Sequence, residues 1–290
     1  MRAEFLERQR LAALHRLVAY VRDRGVIQVP APIAALDGAT FFEVDGNVWQ
    51  LEPWMPGTAD FSTYPTDVRL QASLTCLAHW HREAGRCPLP DADRAWFFNV
   101  ASGRSPGLTE RSREIDGWNH EARAIIRQQL GKSSWKEFAE LGTAILDGFV
   151  RAGPRIAAQL KLGVASPVPL QPCLRDIWHD HVLLTGNEVT GLIDPFAARS
   201  DSVATDLARL LGTLVADDRR AWDVGLEAYQ QIRPLSLCEL ALIELFDQTG
   251  VLLSGMTWLD WHCRQGRVFD DPEKVLTRLR TIVERLGRLA

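Results

Sequence analysis

CLRDIWHDHVLLTGNEVTGLIDPF occupies residues 173–196 of this 290-residue chain. Asp176, His179, Asp180, His181 and Asp194 stand in a stretch that is otherwise mostly apolar. Val182–Leu184 and Val189–Asp194 are β-forming arms around Thr185-Gly186-Asn187-Glu188. Gly-Asn at the centre of such a tetrad is a two-residue hairpin turn. Asp176 and Asp194 flank the two arms, and residues just outside paired arms come close in space. The hairpin therefore reads as a clamp that gathers carboxylates from separate positions.

The chemistry of such a clamp is limited. Carboxylates with further oxygen or nitrogen donors bind a hard divalent cation. A separate carboxylate accepts a proton from a substrate hydroxyl. Phosphoryl transfer uses both, in the order H-R-D-x-x-x-x-N and then D-F-G. Here Leu174-Arg175-Asp176 supplies the R-D, and His181 stands five residues after Asp176, where the pattern has Asn. Asp194-Pro195-Phe196 stands where D-F-G would, directly after an apolar strand.

Composition bounds the alternatives. The net charge of −4 leaves no global basic footprint, so no nucleic-acid partner is expected. Apolar runs are short and interrupted, so no membrane span is expected. The opening residues MRAEFLERQR are charged and lack the apolar core of a signal peptide, which makes the cytoplasm the expected location. Five scattered cysteines without a CxxC pair read as free thiols.

Apolar spacing at Leu6, Leu11, Leu14, Leu17, Val18 and Val21 predicts a helix over 4–24, stopped by Gly25. Residues 40–55 read as two strands turned at Asp45-Gly46-Asn47. Pro53 and Pro56-Gly57 then break the pattern, which predicts a boundary near residue 56. Helices are expected over 67–84, 118–130 and 134–160, the last with a Ser cap and a kink or stop at Pro154. Residues 86–113 read as a long loop. Further helices are expected near 202–216, 219–231, 236–264 and 271–288. The outline is a mostly helical body holding one β-hairpin.

These residues together resemble the aminoglycoside phosphotransferase and choline kinase group. Its catalytic loop reads HGDLHPGNVL, a short turn, then VTGLIDFGDA; this chain has LRDIWHDHVLL, TGNE, then VTGLIDPFAA. Ala204-Thr205-Asp206-Leu207-Ala208 is similar to the group's YDLA, and residues 29–57 are similar to its strand pair and hinge. The resemblance implies an α+β, protein-kinase-like bilobal fold. Residues 1–56 would form a reduced N-lobe of helix, strand pair and hinge, and 57–290 a helical C-lobe. It implies Asp176 as catalytic base, Asp194 and His181 as ligands of Mg2+, and Glu52, Pro53 and Trp54 beside the adenine of ATP. Arg175 and Asp206 would support the loop. The other substrate would be a small molecule with a hydroxyl group.

Three departures accompany the match. Leu174 replaces the group's His, and His181 replaces its ligand Asn. No Gly-rich loop precedes residue 25 and no lysine precedes Lys132, so the expected N-lobe begins at the helix that follows the phosphate-binding strands. Arg2, Arg8 and Arg10 are the cations that could stand in. Two other readings follow from these departures: a kinase-like protein that binds without catalysing, and a metallohydrolase built on His179, Asp180 and His181.

Overall fold

The computed structural model describes residues 8–289. They divide into two compact units. One takes the described residues up to Gly103 together with Val168–Leu240; the other takes Arg104–Pro167 and the described residues from Ala241 onward. The boundary expected near residue 56 lies inside the first unit.

In the first unit, helix α1 (Arg8–Asp23) buries Leu11, Leu14, Leu17, Val18 and Val21 on one face, as their spacing requires. It ends in a Schellman motif. The Gly25 N–H donates to Arg22 O (3.0 Å) and the Val26 N–H to Val21 O (3.3 Å), with Gly25 at φ 95°. The part of the predicted helix before Arg8 lies outside the described residues. Strands β1 (Phe42–Val44) and β2 (Asn47–Trp49) pair antiparallel, with Val44 opposite Asn47. Their turn is Asp45-Gly46, at φ 51° and 73°, the left-handed pair that a tight two-residue turn demands. Asn47 belongs to the strand rather than to the turn.

Helix α2 spans Asp67–Ala84 as predicted, because Thr66 accepts from the Arg69 N–H at its start. It packs against α7 (Arg219–Gln230). The predicted hairpin is β5 (Val182–Thr185) and β6 (Glu188–Leu192), turned at Gly186, φ 60°, and Asn187. Thr58 joins the edge of β5: its N–H donates to Leu184 O (3.0 Å) and its carbonyl accepts from the Leu184 N–H (2.9 Å). Thr190 Oγ1 donates to Pro56 O (2.6 Å), so the segment after the hinge is fastened to the hairpin.

A second sheet contradicts the one-hairpin outline. Strands β3 (Val100–Gly103), β4 (Val168–Cys173) and β7 (Arg199–Asp201) form an antiparallel sheet in the order β3-β4-β7. Its strands give weak local signals. Pro169 and Pro172 interrupt β4, β7 has three residues, and β3 is irregularly registered against β4 between Val100 and Gly103. This sheet sets the place of the central segment, because β4 leads into residues 174–181 and β7 leads toward α6 (Ala204–Leu214).

The second unit is helical: α3 (Pro106–Gly117), α4 (His120–Lys132), α5 (Lys136–Ala165), most of α8 (Leu237–Cys263) and α9 (Pro272–Leu289). Helix α3 corrects the loop expected over 86–113. Ser105 accepts from the Leu108 N–H (3.1 Å) and Pro106 takes a first-turn position, where its missing N–H costs nothing. Helix α5 corrects two expectations. It begins after Trp135 without a side-chain cap, and it continues through Pro154 to Ala165. The carbonyl that Pro154 leaves unused belongs to Val150, which is exposed, so water can satisfy it. Packing along α9 then outweighs the lost hydrogen bond. The α+β class expected from the resemblance is the class observed.

Candidate active site

The site is assembled from α6 inward. Asp206 is fully buried, yet its carboxylate has three donors. Oδ2 accepts from the Leu174 N–H (2.7 Å) and Oδ1 from the Arg175 N–H (2.7 Å). The third is His81 Nε2–H on Oδ2 (2.9 Å). Behind it, the Tyr229 hydroxyl donates to His81 Nδ1 (2.8 Å). The roles follow from Asp206, which only accepts, and they require a neutral imidazole. Burial depresses the His81 pKa in the same sense, and burial holds the Tyr229 hydroxyl well above its ordinary range. The two backbone bonds fix Arg175 at φ 64°, a left-handed conformation, one residue before Asp176. The Arg175 guanidinium lies 3.6 Å from the buried Asp201 carboxylate.

His81, Cys173 and Asp206 are the group whose potential ligand atoms lie within 4.8 Å of one another among the described residues. Their capacity is already used. Both His81 nitrogens are bonded, Asp206 has three donors, and the Cys173 thiol donates to Asp201 O (3.3 Å) with its pKa raised by burial. This group is a buried brace.

Asp176 is half-exposed and its carboxylate pairs with Arg209 of α6. Its backbone carbonyl accepts from His181 Nδ1 (2.9 Å), and the Trp178 indole donates to His181 Nε2 (2.8 Å). A carbonyl can only accept and an indole N–H can only donate. His181 is therefore the neutral Nδ1–H tautomer. Its Nε2 lies 3.8 Å from Asp194 Oδ2. The Ile193 N–H donates to His181 O (3.0 Å) and joins the two arms of the clamp at this point.

Asp194 ends β6 in a left-handed conformation, φ 58° and ψ 60°, and Pro195–Ala197 forms one tight helical turn after it. Arg10 of α1 holds that turn, donating to Phe196 O (2.8 Å) and Ala198 O (3.3 Å). Arg8 pairs with Glu43, and Arg2 lies outside the described residues. Helix α1 reaches the site a second way. His15 joins Thr40 (2.7 Å) to Gln50 (2.9 Å), and Gln50 donates to Glu52. Glu52 is pushed up to about 7, first by burial and then by the charge of Asp194, against the Gln50 hydrogen bond. Thus Asp194 has His181 and Glu52 as neighbours. Pro53 is half-buried, and Trp54 is 96% exposed.

The hydrolase reading finds no support in this geometry. His179 pairs with Asp180 (3.2 Å), and among the described residues these side chains form no three-donor group with a further carboxylate. Sequence reasoning missed Arg209, whose contact with Asp176 spans 33 positions without periodicity. It also passed over His81, which had a signal: it continues the buried stripe Leu70, Leu74, Leu77 of α2.

The family model for the phosphotransferase enzyme family matches residues 1–241. A homoserine kinase of Agrobacterium fabrum is 32% identical over 114 residues, covering 36% of this chain and 35% of that protein. The matched part thus spans about a third of that relative's length. A homoserine kinase of Janthinobacterium sp. is 24% identical over 266 residues, covering 89% of this chain and 72% of the relative. Among solved structures, an aminoglycoside phosphotransferase from Alicyclobacillus acidocaldarius superposes with a TM-score of 0.64 at 15% identity, covering 98% of this chain and 82% of its own. An amicoumacin kinase in complex with AMP-PNP, Ca2+ and Ami gives 0.63 at 13% identity, covering 100% and 84%. These two structures share the fold. The clamp, its buried brace and the extent of the family match lead to one assignment: the chain belongs to the phosphotransferase enzyme family.

Proposed function

We propose that this chain transfers the γ-phosphoryl group of ATP to a hydroxyl of a small molecule, with Mg2+ or a similar divalent cation. One observation carries the reading: Asp176 and Asp194 are held at the two ends of one hairpin by backbone bonds, through Asp206 on one side and His181 and Arg10 on the other. In this reading Asp176 Oδ accepts the hydroxyl proton of the acceptor. Arg209 neutralises Asp176 until the acceptor arrives and orients the carboxylate.

The donor set near Asp194 fits a divalent cation, since a carboxylate oxygen and an imidazole lone pair lie 3.8 Å apart and Glu52 faces the same carboxylate. Asp194 and His181 would hold it. Such an ion neutralises charge on the phosphates and fixes their orientation. The backbone at Glu52–Trp54 would meet adenine, with the exposed Trp54 ring beside it. Asp206 and Arg175 keep Asp176 in place.

For the acceptor we propose a hydroxylated amino acid, with homoserine first. Support comes from the homoserine kinases among the relatives. Calorimetric titration of the chain with ATP, with and without divalent cation, tests the donor half. Binding that requires the cation and is lost in Asp194→Asn is expected. Binding that is indifferent to both would overturn the assignment of Asp194.

A further inference from the structure

We infer that His181 makes this centre select a first-row transition ion, such as Mn2+ or Co2+, over Mg2+, and that the Trp178 indole caps the selecting nitrogen until the ion displaces it. The inference rests on the proposed role of Asp194 as a cation ligand.

The argument begins with the tautomer. The Asp176 carbonyl, an obligate acceptor, takes the Nδ1 proton of His181 (2.9 Å). That leaves the lone pair on Nε2, the nitrogen nearer Asp194 Oδ2. A metal-binding imidazole almost always has its other N–H held by a carbonyl or carboxylate, which fixes the ring and strengthens the donor. His181 already has that arrangement. Its side chain is 12% exposed and therefore oriented by packing, whereas Asp194 is 48% exposed and open to an incoming ion.

The donor type then sets the preference. Imidazole suits Mn2+, Co2+ and Zn2+, whereas Mg2+ prefers oxygen and strict octahedral geometry. A clamp with an amide oxygen in this place would lack that bias.

The Trp178 indole N–H sits on the Nε2 lone pair at 2.8 Å. An ion taking that lone pair must displace the indole. Trp178 is only half-buried, so its freed N–H can pass to water at little cost. The cap also keeps a part-buried lone pair from going unsatisfied when no ion is present.

The test uses the untagged, chelator-stripped full chain. Co2+ binding is followed by its visible absorption, and Mg2+ binding by calorimetry, each with and without AMP-PNP. Wild type is compared with His181→Asn, which keeps a donor for the Asp176 carbonyl, and with Trp178→Phe, which removes the cap. Any mixed nitrogen and oxygen site favours Co2+ over Mg2+ to some degree, so the readout is the change on mutation. His181→Asn should lower the Co2+ to Mg2+ affinity ratio by about tenfold or more and alter the Co2+ spectrum. Trp178→Phe should tighten Co2+ binding.

An unchanged ratio and spectrum in a folded His181→Asn would overturn the inference and leave His181 as a loop strut. If that variant fails to fold, Trp178→Phe decides, and no gain in Co2+ affinity overturns the cap. The nucleotide arm separates the two claims. Failure of every form to bind AMP-PNP would sink the phosphotransferase reading, while the Co2+ response would still judge His181.

Discussion

Replacing Asp206 with Ala should cost more stability than almost any other single change in the first unit. The carboxylate is fully buried and serves Leu174 N–H, Arg175 N–H and His81 Nε2–H. Removing it leaves all three donors without a partner. A buried donor left unsatisfied costs about 1–3 kcal/mol. Leu174 and His81 are buried and carry that cost in full, whereas Arg175 is half-exposed and part of its bond passes to water. Relief from no longer burying a charge offsets some of the total. The net loss should be about 3–5 kcal/mol, a large share of the roughly 5–15 kcal/mol that holds a typical domain. Asp206→Asn keeps one acceptor but turns an N–H₂ toward another donor, and should fall between Ala and wild type. Urea denaturation followed by far-UV circular dichroism measures both. A loss below about 1 kcal/mol for the Ala variant, with unchanged slope, would refute the reasoning that Asp206 braces the loop.

Other outcomes follow from the same geometry. Asp176→Asn should lower turnover by about 100- to 10,000-fold while ATP binding stays near wild type in calorimetry. Gly57→Ala should destabilise by about 2–4 kcal/mol in urea, because Gly57 sits at φ 99° and a Cβ there would meet Leu184 O at 2.8 Å and crowd Thr190 Oγ1. His81 should make stability depend on pH. Its folded pKa lies below the ordinary 6.5, so the unfolded chain binds the proton first and stability is lost as pH falls below about 6.5. The difference in unfolding free energy between wild type and His81→Gln, measured across pH 5–8, isolates this contribution, and a difference that does not shrink toward acid would contradict a neutral, buried His81.

The hairpin at 182–192 was legible because its signals are local: alternating apolar arms, a Gly-Asn turn and charged flanks. Helix α2 was legible for the same reason, with Thr66 marking its start. The sheet of β3, β4 and β7 was not, because Pro169 and Pro172 mask a strand whose pairing comes from residues 30 to 70 positions away. Helix α3 was hidden by the Pro, Gly, Ser and Arg content of its first turns, although Ser105-Pro106 is itself a start signal. In the site, Asp176 and Asp194 could be named from spacing alone. What each one touches could not: Arg209, Arg10 and the Trp178 cap are contacts of the tertiary fold, and the sequence marks none of them by periodicity. His181 shows the limit most plainly, since its position suggested a ligand while its tautomer depends on two partners that only the fold supplies.

The most direct test of the central claim is transfer of label from γ-³²P ATP, with Mg2+ or Mn2+, to a panel of hydroxylated acceptors that includes homoserine. The account predicts that label moves to an acceptor hydroxyl in the wild-type chain and stays in ATP with Asp176→Asn. Label that stays in ATP, or passes only to inorganic phosphate, with every acceptor and both ions would contradict it.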